Sequence, residues 1–221
     1  MPADFGKING VLFPMEIINL TAPVHSAHIY LERVPLKSAR TAYTGMVYHF
    51  HHGSMETSYL DLPGHIAETD DGFHAKNIDL ADYYRRKTAL LRITPPCGGE
   101  YGITPEDLDK ALNKRAWQPW MVINALGASA DGYNPSRKIY LTLEAVDHLV
   151  KNGVKVLFSD AWESPRLDGV FLRLFEGGVS AVCNLVNLDK LPCDREFLMT
   201  MSFLPYPGDV TQIPATVLAE I

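Results

Sequence analysis

Between Thr104 and Val186 the sequence alternates cap-bounded helical segments with short apolar runs, and this alternation constrains the fold more than any other feature. Thr104 is a good N-cap, Pro105 takes the first helical position, and Glu106 and Asp107 place negative charge in the first turn. Leu108 and Leu112 then share one face. A strand is predicted over Trp120 to Ala125. Thr142 caps a second helix whose apolar face is Leu143, Val146, Leu149 and Val150, and Gly153 ends it. Val154 to Phe158 reads as a strand ending at Ser159-Asp160, where α/β folds tend to present site residues. Leu167 to Glu176 reads as a third helix, closed by Gly177-Gly178, and Val179 to Val186 as another strand. Alternating helices and apolar strands place the chain in the α/β class.

The first ninety residues are richer in strands and loops. Gly10 to Leu20 reads as two short strands broken at Pro14, and Tyr43 to Leu62 as an extended region bent at Gly53. A short polar helix is predicted over Asp79 to Arg86, a buried strand over Thr88 to Ile93, and a late strand over Phe197 to Leu204. No repeat or low-complexity tract divides the chain, so residues 1–221 are expected to form a single domain. A net charge of -6 gives no electrostatic footprint for nucleic acid. No run approaches the roughly 18 apolar residues of a membrane span. The segment Met1 to Lys7 lacks the basic start and apolar run of a signal peptide. Cys97, Cys183 and Cys193 make an odd count without metal-ligand spacing. Reduced thiols and a cytoplasmic location are expected.

The chemistry concentrates in His51-His52-Gly53-Ser54-Met55-Glu56-Thr57-Ser58-Tyr59-Leu60-Asp61-Leu62-Pro63-Gly64-His65. If the segment is extended, Met55, Thr57, Tyr59 and Asp61 share one face. Pro63 ends the strand and Gly64 permits a sharp turn, which lets His65 swing back over Asp61. A carboxylate beside an imidazole fixes its tautomer and raises its basicity, which suits it to proton transfer near neutral pH. The same spacing also fits a purely structural pair.

The run Met55-Glu56-Thr57-Ser58-Tyr59-Leu60-Asp61-Leu62-Pro63-Gly64-His65 resembles the H-x-G-T-H-x-D-x-P-x-H signature of the cyclase family, the kynurenine formamidase-like hydrolases. Asn124-Ala125-Leu126-Gly127 is similar to the family's R-T-G strand end. Leu141 to Ala145 is similar to its L-s-x-E-A helix start, and Ser159 to Ser164 to its G-x-D-x-x-S strand end. Gly178 to Leu188 is similar to its last block, G-(I/V)-x-x-x-E-N-L-x-N-L. The order and spacing of these blocks from about Ile17 to Leu204 make the resemblance specific. It implies a β-barrel-like core flanked by helices, a small-molecule substrate, and assembly as a homodimer or larger homo-oligomer.

The departures matter equally. The family's metal-binding histidines fall on Met55 and Tyr59, and its distal ligands near Phe171 and on Cys183, so Asp61 alone is kept. Several imidazole and carboxylate donors are needed at once to hold Zn or Mn, so no metal and no other cofactor is expected. The resemblance then implies His65, Asp61 and Tyr59 as the catalytic set. His65 moves protons, Asp61 orients it and Tyr59 polarises the substrate oxygen. Met55, Cys183, Phe171 and Trp162 are the expected substrate-binding residues. Cys183 also has a reading as a nucleophile and a reading as simple filling. The expected activity is hydrolysis, dehydration or ring closure of a small cyclic or acylated carbonyl compound. Two alternatives stand beside it. One is a binding protein that kept the fold without catalysis; the other is a metal enzyme rebuilt on His51, Cys183 and Asp61.

Overall fold

A computed structural model describes residues 5–8, 11–128 and 136–221, with side chains from Met15 onward. Gly10 and the start of the Met1 to Lys7 segment lie outside the described residues. The chain opens with β1 (Phe5–Ile8), β2 (Val11–Pro14) and β3 (Ile17–Asn19), then runs through β4 (His28–Lys37) and β5 (Ala42–His51) to the short β6 (Tyr59–Asp61). Next come β7 (Arg86–Arg92), β8 (Tyr101–Ile103), α1 (Pro105–Leu112), β9 (Trp120–Asn124), β10 (Ile139–Leu141), α2 (Leu143–Lys151) and β11 (Val156–Ser159). The last elements are α3 (Val170–Glu176), β12 (Ser180–Cys183), β13 (Phe197–Ser202), β14 (Gln212–Pro214) and β15 (Thr216–Glu220).

Nine strands form one mixed sheet in the order β14-β6-β12-β11-β9-β7-β13-β15-β3. Its centre, β12-β11-β9-β7, is parallel, and the flanking strands pair antiparallel. Parallel neighbours require crossovers, and α1, α2 and α3 supply them. Alternation along each strand divides the core in two. Ala89, Leu91, Met121, Ile123 and Leu157 meet Leu108, Leu149 and Leu174 of the helices. Leu90, Val122, Phe158 and Val182 face the other way, onto Met199, Val217 and Ile18. Ala215 alone separates β14, at one edge, from β15, which lies one strand from the other edge. So short a link forces the sheet to curl into a half-barrel, and the core it encloses is the barrel-like core that the sequence resemblance implies.

The predicted caps operate in both longer helices. The Thr104 side chain accepts from Asp107 N while the Asp107 carboxylate accepts from Thr104 N, and the Thr142 side chain accepts from Ala145 N. Gly153 takes a φ of +80° just after α2, a conformation that favours glycine. Several predicted elements are shorter than read. The Leu167 to Glu176 helix starts at Val170, because Leu167 and Gly169 both hold positive φ. Asn184, also at positive φ, ends the Val179 to Val186 strand at Cys183. Within Asp79 to Arg86 only Leu80–Tyr83 is helical, as one 3-10 turn. The extended Tyr43 to Leu62 region is in fact β5, a 3-10 turn at Ser54–Glu56 and β6.

Ser58 locks that break in place. Its buried hydroxyl accepts from Ala22 N at 2.8 Å and donates to Asn184 O at 2.7 Å. Ser58→Ala orphans both backbone groups, so a loss of about 2 kcal/mol is expected by urea denaturation. A loss below about 0.5 kcal/mol, within the scatter of ordinary surface substitutions, would show that water replaces the hydroxyl.

Candidate active site

Three residues of β6 carry two of the site's side chains. β6 is clasped between β12 and β14, with Tyr59 opposite Cys183 and Pro214, and Asp61 opposite Ala181 and Gln212. Leu60 points to the half-barrel core, so Tyr59 and Asp61 face the opposite side. The wider shared face expected for this segment does not form. Thr57 turns away to donate to Ala22 O at 2.6 Å, and Met55 sits exposed on the 3-10 turn at the rim. Asn184 holds that rim by donating from Nδ2 to Met55 O at 3.0 Å.

After β6 the chain turns through a 3-10 turn, Pro63–His65. A side chain at Gly64 would place its Cβ 2.9 Å from both Asp70 Oδ1 and Thr211 Cγ2, so any larger residue there must displace those two side chains. His65 is thereby carried back over the β6 face. All seven residues singled out in the sequence (Tyr59, Asp61, His65, Met55, Cys183, Phe171 and Trp162) line one cavity of about 410 Å³. Trp162 and Phe171 form its aromatic wall, stacked with centroids 5.1 Å apart. The floor includes Asp160, whose carboxylate accepts from Ala125 N, Leu126 N and Asn124 Nδ2, tying the ends of β9 and β11 together.

Asp61 and His65 do not share a direct hydrogen bond. His65 Nδ1 lies 4.0 Å from Asp61 Oδ1. Gln212 connects them instead: its Nε2 donates to Asp61 Oδ1 at 2.8 Å and stands 3.4 Å from His65 Nε2. Ser54 Oγ donates to Gln212 Oε1 and so fixes which end of the amide faces the pair. The sequence reading missed Gln212, because strand pairing across 151 residues leaves no local signal. It also passed over Arg137 and Glu163, which line the same cavity. The buried Oε2 of Glu163 has no hydrogen-bond partner among the described residues.

Burial pushes the Asp61 carboxyl up to about 6, against the opposing pull of His65 and the Gln212 hydrogen bond. The Tyr59 phenol is raised far above its usual range, chiefly by burial and then by Cys183 and Asp61. The Cys183 thiol is also raised well above its usual value, first by burial and then by Asp61. Both therefore hold their protons at neutral pH. A protonated, buried thiol is a poor nucleophile, which weighs against the acyl-transfer reading of Cys183.

A divalent ion does not fit this set. Phe171 offers no donor, Met55 offers only a thioether on the exposed rim, and Asp61 Oδ1 already accepts from Gln212. Among the described residues no group of three or more His, Cys, Asp or Glu side chains is placed to hold a metal. His51, invoked in the rebuilt ligand set, lines a separate cavity with Phe50, His52 and Tyr206. His49 is on the same strand, hydrogen-bonded to Glu32 at 2.9 Å.

Residues 18–164 match the cyclase family model, and the chain belongs to the cyclase family. Solved structures agree on the fold. A structure described as a potential metal-dependent hydrolase with cyclase activity superposes with a TM-score of 0.67 at 16% identity, covering 93% of this chain and 98% of its own. A predicted metal-dependent hydrolase from Bacillus stearothermophilus gives 0.61 at 19% identity, covering 93% and 98%. An isatin hydrolase bound to the product analogue thioisatinate gives 0.64 at 14% identity, covering 94% and 92%. No curated protein matches the chain. Among the described residues no helix is long and apolar enough to cross a membrane.

Proposed function

We propose that this cyclase-family protein is an enzyme that acts on a small cyclic or acylated carbonyl compound by acid–base chemistry, without a metal. The observation that carries the proposal is a carboxyl group titrating near pH 6, linked through Gln212 to a solvent-reachable histidine, inside a largely apolar cavity. Perturbed titratable groups that converge on one cleft are the usual mark of proton-transfer chemistry.

Hydrolysis illustrates the roles. In the neutral ring with its proton on Nδ1, towards Asp61, the attacking water displaces the long 3.4 Å Gln212 contact and takes up the His65 Nε2 lone pair. His65 Nε2 accepts a proton from water as the water oxygen bonds to the substrate carbonyl carbon. The Tyr59 hydroxyl, held protonated, donates to the developing oxyanion. The carbon–nitrogen or carbon–oxygen bond then breaks, and the imidazolium returns the proton to the leaving atom. Asp61 stabilises the imidazolium at 4.0 Å. Met55, Phe171, Trp162 and Cys183 supply apolar contacts, which suits a planar, weakly polar substrate.

The solved isatin hydrolase supplies a first compound to try: isatin, alongside other activated lactams and N-formyl aromatic amines. Ring opening or deformylation followed by absorbance is the primary test. With an active compound in hand, His65→Ala is expected to lower kcat by about 10²- to 10⁴-fold. The melting point should hardly move, since 41% of the side chain is exposed. Unchanged turnover in His65→Ala would end the acid–base assignment. A second reading, ligand binding without turnover, draws on Phe171, which stacks on Trp162 where the family places a ligand. Quenching of Trp162 fluorescence by compounds that are never converted is the outcome that would favour it.

A further inference from the structure

Three carboxylates line the cavity, and the proton-transfer scheme uses only one of them. Asp61 accepts from Gln212, and Asp160 is engaged by the donors at the end of β9. Glu163 is placed differently. Its Oε1 accepts from Phe171 N at 3.4 Å, while its Oε2 is buried with no hydrogen-bond partner among the described residues. No other side chain lining the cavity leaves a polar atom buried and unpartnered among the described residues. Buried acceptors without a donor cost stability and are few in folded proteins, so this one calls for a cause.

Sequence position anchors the carboxylate. Glu163 follows Trp162 directly and holds the N–H of Phe171, and those two rings stack at 5.1 Å to form the aromatic wall. The carboxylate therefore sits at the foot of that wall. A planar molecule stacked on the wall turns its edge, not its face, to the foot. An ionised carboxylate only accepts, so what it needs from that edge is an N–H or O–H. The Tyr59 hydroxyl, which keeps its proton at neutral pH, supplies a donor for a carbonyl oxygen in the same cavity. A secondary lactam or imide matches both groups with one functional unit, since its carbonyl accepts and its N–H donates. An ester or an N-alkyl amide matches Tyr59 alone.

We propose that Glu163 is the specificity-determining residue of the cavity: its Oε2 accepts the N–H of a planar secondary lactam or imide and selects it over the matching ester or N-alkyl amide. The assignment rests on the carbonyl chemistry proposed above and narrows its substrate class. A compound without the N–H leaves Oε2 buried and unpaired in the complex, which is how a site built for a polar group rejects analogues that lack it.

Phthalimide and N-methylphthalimide, planar imides that differ only at nitrogen, test it at pH 7. Ring opening is followed by absorbance and binding by tryptophan fluorescence. The wild type is expected to favour phthalimide by about 10²-fold or more in kcat/KM and by about tenfold in Kd. Glu163→Gln keeps the side-chain size and an acceptor for Phe171 N–H. It should lower kcat/KM for phthalimide about tenfold more than for the N-methyl compound. Glu163→Ala should level the two compounds, by a loss on phthalimide. A gain on N-methylphthalimide with phthalimide unchanged would show that bulk sets the preference, and would overturn the assignment. Equal losses on both compounds would also overturn it, because Glu163 would then only support the aromatic wall. If neither compound is converted, the dissociation constants carry the same comparison, so a failure of the proposed turnover is told apart from a failure of this assignment. Equal affinities in the wild type, or no binding of either compound at about 1 mM, would refute it.

Discussion

Asp61→Asn is expected to raise the unfolding temperature at pH 7 while cutting turnover by about 10²-fold or more. The two effects share one cause. Burial lifts the Asp61 carboxyl from an ordinary value near 3.8 to about 6, so between those values the folded state holds a proton that the unfolded state has lost. Stability therefore falls as pH rises from about 4 to about 6 and stays at the lower level above that. The ionised carboxylate costs on the order of 2 kcal/mol at neutral pH. Asn removes that cost and still accepts from Gln212 Nε2, which corresponds to several degrees in melting temperature for a chain of this size. It also removes the charge opposite His65. Thermal melts from pH 4 to 8 should show a falling profile for the wild type and a flatter one for the variant. A variant that melts below the wild type at pH 7 would mean that Asp61 is retained for stability, not chemistry.

Asp160→Ala is expected to have the largest effect on stability of any change at the cavity, a loss of about 3–5 kcal/mol and on the order of 10 °C in melting temperature. Asp160 is 2% exposed and accepts from two backbone N–H groups and the Asn124 amide. Alanine leaves all three donors buried without a partner. Asp160→Asn keeps an acceptor and sheds the burial penalty that raises this carboxyl's pKa, so its loss should be markedly smaller. Equal losses in the two variants would contradict the hydrogen-bond account.

Helix starts were legible from sequence because capping is local. Thr104, Pro105 and Asp107 lie within four residues, and the Thr142 cap operates within one turn. The parallel centre of the sheet was legible for a similar reason, since Met121 to Ile123 and Leu157-Phe158 lie in continuous apolar runs. Strand pairing was not legible. β4, β14 and β15 went unread, because none has apolar content bounded by a strong turn signal. The exposed faces of the β4–β5 hairpin also break the rule that apolar residues seek the core. In the site, the Asp61–Pro63–Gly64–His65 spacing placed two side chains over one cavity, yet the amide between them comes from residue 212. Met55 and Thr57 were misplaced because the chain leaves the extended conformation at Ser54–Glu56, a change that Gly53 only hinted at.

The clasp on β6 bears on how the chain is made. Its three residues are held by segments that begin 121 and 153 positions later, at Ser180 and Gln212. Pairing at such separation cannot reward the closing of the intervening loops until both segments exist. During synthesis the helical crossovers of the parallel centre can settle early, while Tyr59 and Asp61 wait for β14 to be translated. The cavity is thus completed among the last events of folding, and a nascent chain stalled before Gln212 would carry most of the scaffold without its proton-transfer site.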